Sequence, residues 1–301
     1  MDAEHGGADA QADTRYLMRF LWLSVALSLV TMAIKGAAAY ITGSVGILSD
    51  ALESGVNLLA AIVALWALNL SGKPADHNHH FGHGKAEYMS AAVEGLLIIG
   101  AAVTIIATAV GRFVYPQPVE DFGIGLGLTV AASVLNGAVG WLLVHQGRRH
   151  RSITLEADGR HLLTDVVTSL GVLAGIALIW ATGWHWIDPV IALAVGLNIM
   201  VTGVRLTKRS AIGLLDVSLP LNEIETVRAT LEQVTNARGG RLTDLLTRES
   251  GRQRFVQATV LVPGEWTVQR AHDMTDELEE AVDRALPGTV SVIHVEPDPV
   301  G

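Results

Sequence analysis

A chain of 301 residues that is half hydrophobic and only 17% charged has too little polar surface for a soluble protein of its length, so membrane spans are the first expectation. It contains no cysteine, which excludes disulfides, thiolate metal sites and thiol redox chemistry, and leaves His, Asp, Glu or amide oxygen to hold any metal. The net charge of −9 is concentrated at the C-terminal end, where residues 211–301 hold 15 acidic and 8 basic side chains, and no basic patch invites nucleic acid.

In chain order, residues 1–14 are polar, Gly/Ala/Asp-rich and non-periodic; they read as a disordered cytoplasmic tail and not as a signal peptide. Six apolar stretches follow, at about 17–41, 46–70, 87–114, 122–145, 154–182 and 187–208, each near or above the roughly 20 residues of a spanning helix. Basic residues flank alternate connections: Arg15 and Arg19, Lys73 and Lys85, Arg148, Arg149 and Arg151, then Arg205, Lys208 and Arg209. The opposite connections hold only Arg112. By the positive-inside rule both termini are cytoplasmic. The expected organisation is a transmembrane domain over 15–209 and a cytoplasmic domain over 210–301.

That last segment changes character. "LNEIETVRATLEQV" reads as an amphipathic helix, "LTDLLTRES" and "RFVQATVLV" as strands around a Ser-Gly turn, "TVQRAHDMTDELEEAVDRAL" as a second helix and "TVSVIHVEP" as a final strand. The fold class is therefore a mostly α membrane protein: a six-helix bundle followed by a small α+β domain of order αββαβ, similar to a ferredoxin-like metallochaperone.

Polar groups inside a span are costly and mark function by default. In the second span, "VGILSDALESGVNLLA" puts Asp50, Glu53 and Asn57 on one helix face. In the fifth, "LEADGRHLLTDVVTSLGV" puts His161 and Asp165 at i and i+4, a spacing that lets two side chains ligate one ion. Glu53 and Asn57 stand in the same relation, so the two helices together offer an imidazole, two carboxylates and an amide oxygen to one divalent cation. The plainer alternative is a polar contact between helices. Between the second and third spans, "KPADHNHHFGHGKAE" concentrates histidines with an aspartate, a composition suited to metal capture.

These segments resemble the cation diffusion facilitator family of metal transporters over nearly the whole chain. The resemblance is carried by "SVGILSDALES", "PADHNHHFGHGKAE", "ADGRHLLTDVVTSLGV", "DPVIALAVGL" and "LLDVSLP". It implies a homodimer of six-helix protomers in a bacterial inner membrane, exporting divalent metal against incoming protons. It implies a transport site with two second-span residues plus His161 and Asp165, and a loop site at Asp76, His79 and His83 with His77 and His80 unmatched. Lys85 and Asp216 correspond to an interdomain ion pair. In the soluble domain, His272, His294 and Glu296 match family metal ligands, whereas Thr243 and Thr259 replace two histidines, so one weak site or none is expected there.

The second span departs from the zinc-transporting members, whose pair there is His/Asp or Asp/Asp. Glu53 with Asn57 loses one negative charge. Zinc suits imidazole with carboxylates, but the added oxygen character widens the field to Fe(II), Mn(II), Co(II) and Cd(II). Asp50, on the same face, is the alternative to Asn57 as ligand. Only a neutral imidazole ligates, so His161 would release a proton to bind metal and regain one afterwards. No organic cofactor and no covalent chemistry are needed. A membrane metal sensor or trafficking protein, binding metal without flux, is the rival from another class. A membrane hydrolase using metal-activated water is a third.

Overall fold

The computed structural model describes residues 3–42, 45–114, 123–184 and 187–298. Six long helices come first: α1 (Ala3–Thr42), α2 (Val45–Ser71), α3 (Ala86–Val114), α4 (Gly123–Arg149), α5 (Ile153–Thr182) and α6 (Ile187–Leu214). They are followed by α7 (Leu221–Arg238), β1 (Arg241–Ser250), β2 (Gln253–Val262), α8 (Val268–Ala285) and β3 (Thr289–Pro297). The chain divides into two compact units, Met1–Ala211 and Ile212–Gly301.

In the first unit, large apolar side chains point outward: Trp22, Trp66, Leu96 and Val134 are all more than half exposed. The buried interior carries Glu87, Glu94, Glu156, Asp158 and His161 instead. That inversion suits a bundle whose surroundings are apolar. Asp13–Ala37, Ala86–Gly111 and Pro189–Leu214 are long and apolar enough to cross a membrane. α5 opens differently, with Glu156, Asp158, Arg160 and Asp165 within its first turns.

α1 begins at Ala3, so residues 3–14, read from composition as a disordered tail, are helical instead. Alanine is the strongest helix former and recurs at Ala3, Ala8, Ala10 and Ala12. Tertiary contact holds the end of the segment: Thr14 is buried, and the Asp13 carboxylate lies 2.8 Å from His150 Nδ1 beyond α4.

α5 is the central helix. Its Leu155 and Leu162 pack with Leu17, Leu21, Leu68 and Leu143, while its Ile153 and Ala157 pack with Tyr88, Ile98, Ile199 and Leu206. It approaches α4 closely because both are glycine there. A Cβ on Gly159 would stand 2.7 Å from the Gly140 carbonyl oxygen, and one on Gly147 would stand 2.6 Å from the Glu156 amide nitrogen. Small residues let helix backbones meet in this way. Arg151 takes a left-handed φ of 57° in the connection, where Ser152 N–H reaches back to the Gly147 carbonyl at 2.8 Å. The buried Glu156 then collects three guanidinium groups, from Arg148 on α4, Arg160 on α5 and Arg209 on α6, at 3.3, 2.8 and 2.6 Å.

The second unit is the αββαβ domain. β2 is central, antiparallel to β1 and parallel to β3. The β1–β2 hairpin closes over Gly251, whose φ of 60° a glycine adopts without steric cost. α8 starts at Thr267, whose hydroxyl accepts Arg270 N–H at 3.2 Å. It buries Met274, Leu278 and Val282 at helical spacing against Val256 and Val260 of β2 and Val227 and Leu231 of α7. Arg254 of β2 grips Glu223 of α7 through two hydrogen bonds, at 3.0 and 3.1 Å.

Candidate metal centre

α2 and α5 bring three of the expected residues together. His161 Nε2 lies 2.8 Å from Asn57 Oδ1, and Asn57 Nδ2 donates to Asp165 Oδ2 at 2.6 Å. Asn136 of α4 approaches the same carboxylate oxygen at 3.5 Å. His161 is 5% exposed, whereas Asn57 and Asp165 are half-buried. The i, i+4 spacing on α5 puts His161 and Asp165 on one face, and that face meets Asn57. Asp50 and Glu53 belong to α2, but their side chains lie outside the described residues. An imidazole nitrogen, an amide oxygen and a carboxylate, held by two helices inside an apolar bundle, form a donor set for a divalent cation.

Sequence reasoning had not singled out Glu94, Asp158 or Asn136. Glu94, on α3, is 1% exposed, and its Oε2 stands 3.9 Å from His161 Nδ1. Asp158 is also 1% exposed, three residues before His161 on α5. The signal was available for the two acids, since an ionisable residue within a span calls for a reason. Asn136, a lone amide in an apolar stretch, gave a weaker one.

The connection between α2 and α3 builds a second cluster. Asp76 Oδ1 accepts the backbone N–H of Asn78 at 2.9 Å and of His79 at 2.8 Å, which closes a local turn. The Asn78 bond foremost, with those from His79, holds the Asp76 carboxyl below its ordinary value, against an opposing effect of desolvation. His79 Nδ1 is 3.1 Å from Oδ1 and His83 Nε2 is 3.4 Å from Oδ2, with the two rings 4.3 Å apart. One ligand atom from each of Asp76, His79 and His83 lies within 4.8 Å of the others. His77 and His80 are exposed and outside this group. Lys85 follows at the start of α3.

The second unit does not assemble its three candidates. His272 pairs with Asp276 on its own helix at 3.6 Å, and His294 pairs with Glu296 on its own strand at 3.2 Å. Thr259 sits beside His294 in the sheet, and the Thr243 hydroxyl donates to the Thr259 carbonyl at 3.1 Å. Where the expected pattern has two histidines this chain has two threonines, and the hydroxyl of one, Thr243, is spent on the sheet backbone. Among the described residues, the loop trio is the only close group of three His or acidic ligands. Asp216 has a left-handed φ of 55° and accepts from Arg248 at 3.0 Å within its own unit.

Comparison with known proteins gives the same frame. Residues 21–215 match the family model described as the cation efflux transmembrane domain, and residues 219–298 match that of the cation efflux protein cytoplasmic domain. The chain is 47% identical over 275 residues to the uncharacterized transporter sll1263 of Synechocystis sp., covering 91% of this chain and 88% of that one. It is 32% identical over 291 residues to the cation-efflux pump FieF of Escherichia fergusonii, covering 95% of each. Among solved structures, a CzrB chain in its Zn form is 40% identical, covering 28% of this chain and 93% of that chain at a TM-score of 0.27. With one family model spanning most of the α1–α6 region and a second spanning α7 to β3, the chain belongs to the cation efflux family, the cation diffusion facilitators, and is a divalent-metal efflux transporter of the membrane.

Proposed function

We propose that this protein is a divalent metal cation/proton antiporter that exports Zn(II) from the cytoplasm as a homodimer, with both termini cytoplasmic. The observation that carries this reading is the polar chain His161–Asn57–Asp165, which joins α2 and α5 within an apolar bundle. Glu53 completes the set in this reading, with Asp50 as the alternative to Asn57. Asp165 and Glu53 offset part of the ion's dehydration cost. His161 gives up its proton to bind metal and takes one back when metal leaves, which couples the two flows.

Asp76, His79 and His83 capture the ion from the cytoplasm before it reaches the bundle. His272, His294 and Glu296 are each engaged locally, which supports at most a weak third site. Imidazole with carboxylates is a donor set that suits zinc. The oxygen-rich donor set keeps Fe(II), Mn(II), Co(II) and Cd(II) as competing cargo.

The test is paired zinc and proton flux in proteoliposomes, across that panel of metals. Metal movement with stoichiometric counterflow of protons supports antiport. Metal movement without it leaves efflux but removes the coupling, and metal binding with no movement returns the reading to a sensor.

A further inference from the structure

Glu94 is an acid that the transport reading leaves without a task. It lies on α3, 1% exposed, and neither carboxyl oxygen takes a hydrogen bond among the described residues. Burying such a group without a partner is costly, so its presence needs a reason. Its Oε2 faces His161 Nδ1 at 3.9 Å, from a helix other than the two that carry the proposed ligands.

The reason lies in where the imidazole keeps its proton. A carboxylate only accepts, so Asn57 turns its NH2 toward Asp165 and its oxygen toward His161. An amide oxygen also only accepts, so Nε2 is the donor in the 2.8 Å contact. A metal ion on Nε2 takes that proton's place. The neutral ring has a single N–H, so once metal occupies Nε2 the proton belongs on Nδ1. Nδ1 is the nitrogen that faces Glu94.

We propose that Glu94 is the positioning residue for His161 in the metal-loaded transporter: its carboxyl accepts the Nδ1–H that the ring keeps once metal has displaced the Nε2 proton, and fixes the ring with Nε2 on the ion. The proposal rests on reading His161 as a metal ligand. Hydrogen-bond distance is roughly 1 Å closer than the present separation, a shift within reach of rotation about the Glu94 side-chain bonds. Metal-bound imidazoles commonly hold such a partner at the other nitrogen, and losing it lowers metal affinity about 10- to 100-fold.

The test uses the full-length protein with Asp76, His79 and His83 replaced by Ala, so that zinc binding reports the transport site. Glu94→Ala is expected to weaken zinc binding by about 10- to 100-fold and to raise KM for flux more than it lowers kcat. Glu94→Gln, whose amide oxygen still accepts, is expected to restore most of that affinity. Nitrogen NMR of histidine-labelled, zinc-loaded protein should show His161 with zinc on Nε2 and a proton on Nδ1, the signal being assigned by its loss in His161→Ala. Glu94→Ala binding zinc like its parent while His161→Ala has lost the site overturns the positioning role and leaves the transport reading standing. Equal loss in the Ala and Gln variants also overturns it, because charge and not an acceptor is then what matters. Zinc found on Nδ1 overturns it without any Glu94 variant having to fold. Should His161→Ala bind and carry zinc normally, the transport reading itself fails.

Discussion

His161 and Asn57 stand 104 positions apart in the chain, yet the imidazole Nε2 of one lies 2.8 Å from the amide oxygen of the other. The contact joins α2 and α5 through polar side chains inside an apolar bundle. With Asp165 bonded to the same amide, an ion placed here would exchange these two protein contacts for three metal bonds.

Asp165→Ala should abolish zinc flux in proteoliposomes while size-exclusion elution and helical content stay unchanged. Asp165 is half-buried and contributes charge more than packing, so folding is expected to survive its truncation. Normal flux in this variant would remove the α2–α5 site from the transport path.

Replacing Asp76, His79 and His83 together with Ala should slow uptake at low zinc without ending it. The trio lies in the α2–α3 connection, and Asp76 and His79 are exposed. The expected signature is a raised KM with a maximal rate close to that of the parent. A dead but well-folded variant would make the loop an obligatory step.

Asn57→Asp should tighten zinc binding about tenfold, which corresponds to roughly 1.4 kcal/mol, and should shift the order of preference among metals. The wild-type amide donates to Asp165 at 2.6 Å; an aspartate there would set carboxylate against carboxylate until a cation arrives. Calorimetry across zinc, cobalt, cadmium and manganese checks this. Unchanged affinity and order would move Asn57 out of contact with the ion and make Asp50 the leading ligand candidate.

Gly159→Ala should lower thermal stability by about 1–3 kcal/mol, the usual range for overpacking. The added methyl would meet the Gly140 carbonyl oxygen at 2.7 Å and the Val144 amide nitrogen at 2.8 Å, both backbone atoms that cannot swing aside. A melting temperature equal to the parent's would show that α4 and α5 separate at low cost.

The parts of this molecule that were legible from sequence are those governed by local periodicity. Strand β3 alternates, α8 repeats its apolar residues at helical spacing after its cap at Thr267, and the β1–β2 hairpin turns at Gly251. His161 with Asp165 was legible for the same reason, since i and i+4 share a face in any helix. Glu94 was visible as an acid in an apolar stretch, but no local rule says that α3 turns it toward His161. The opposite error arose at residues 3–14, where composition alone spoke for disorder and the Asp13–His150 contact, made across the fold, was out of view. His272 and His294 each stand beside an acid on their own element, Asp276 and Glu296, and of these two acids only Glu296 belongs to the set expected from the sequence.

The glycine seam between α4 and α5 limits how this transporter can move. Gly140, Gly147 and Gly159 bring the two backbones so close that the α4–α5 hairpin is expected to move as one body. Any opening of the proposed transport site must then run along the joint between α5 and α2, where Asn57, His161 and Asp165 stand. The cargo would occupy the joint itself, like mortar between two blocks. In that arrangement the parting of the blocks and the release of the ion are one event, and an ion held too firmly would also lock the machine.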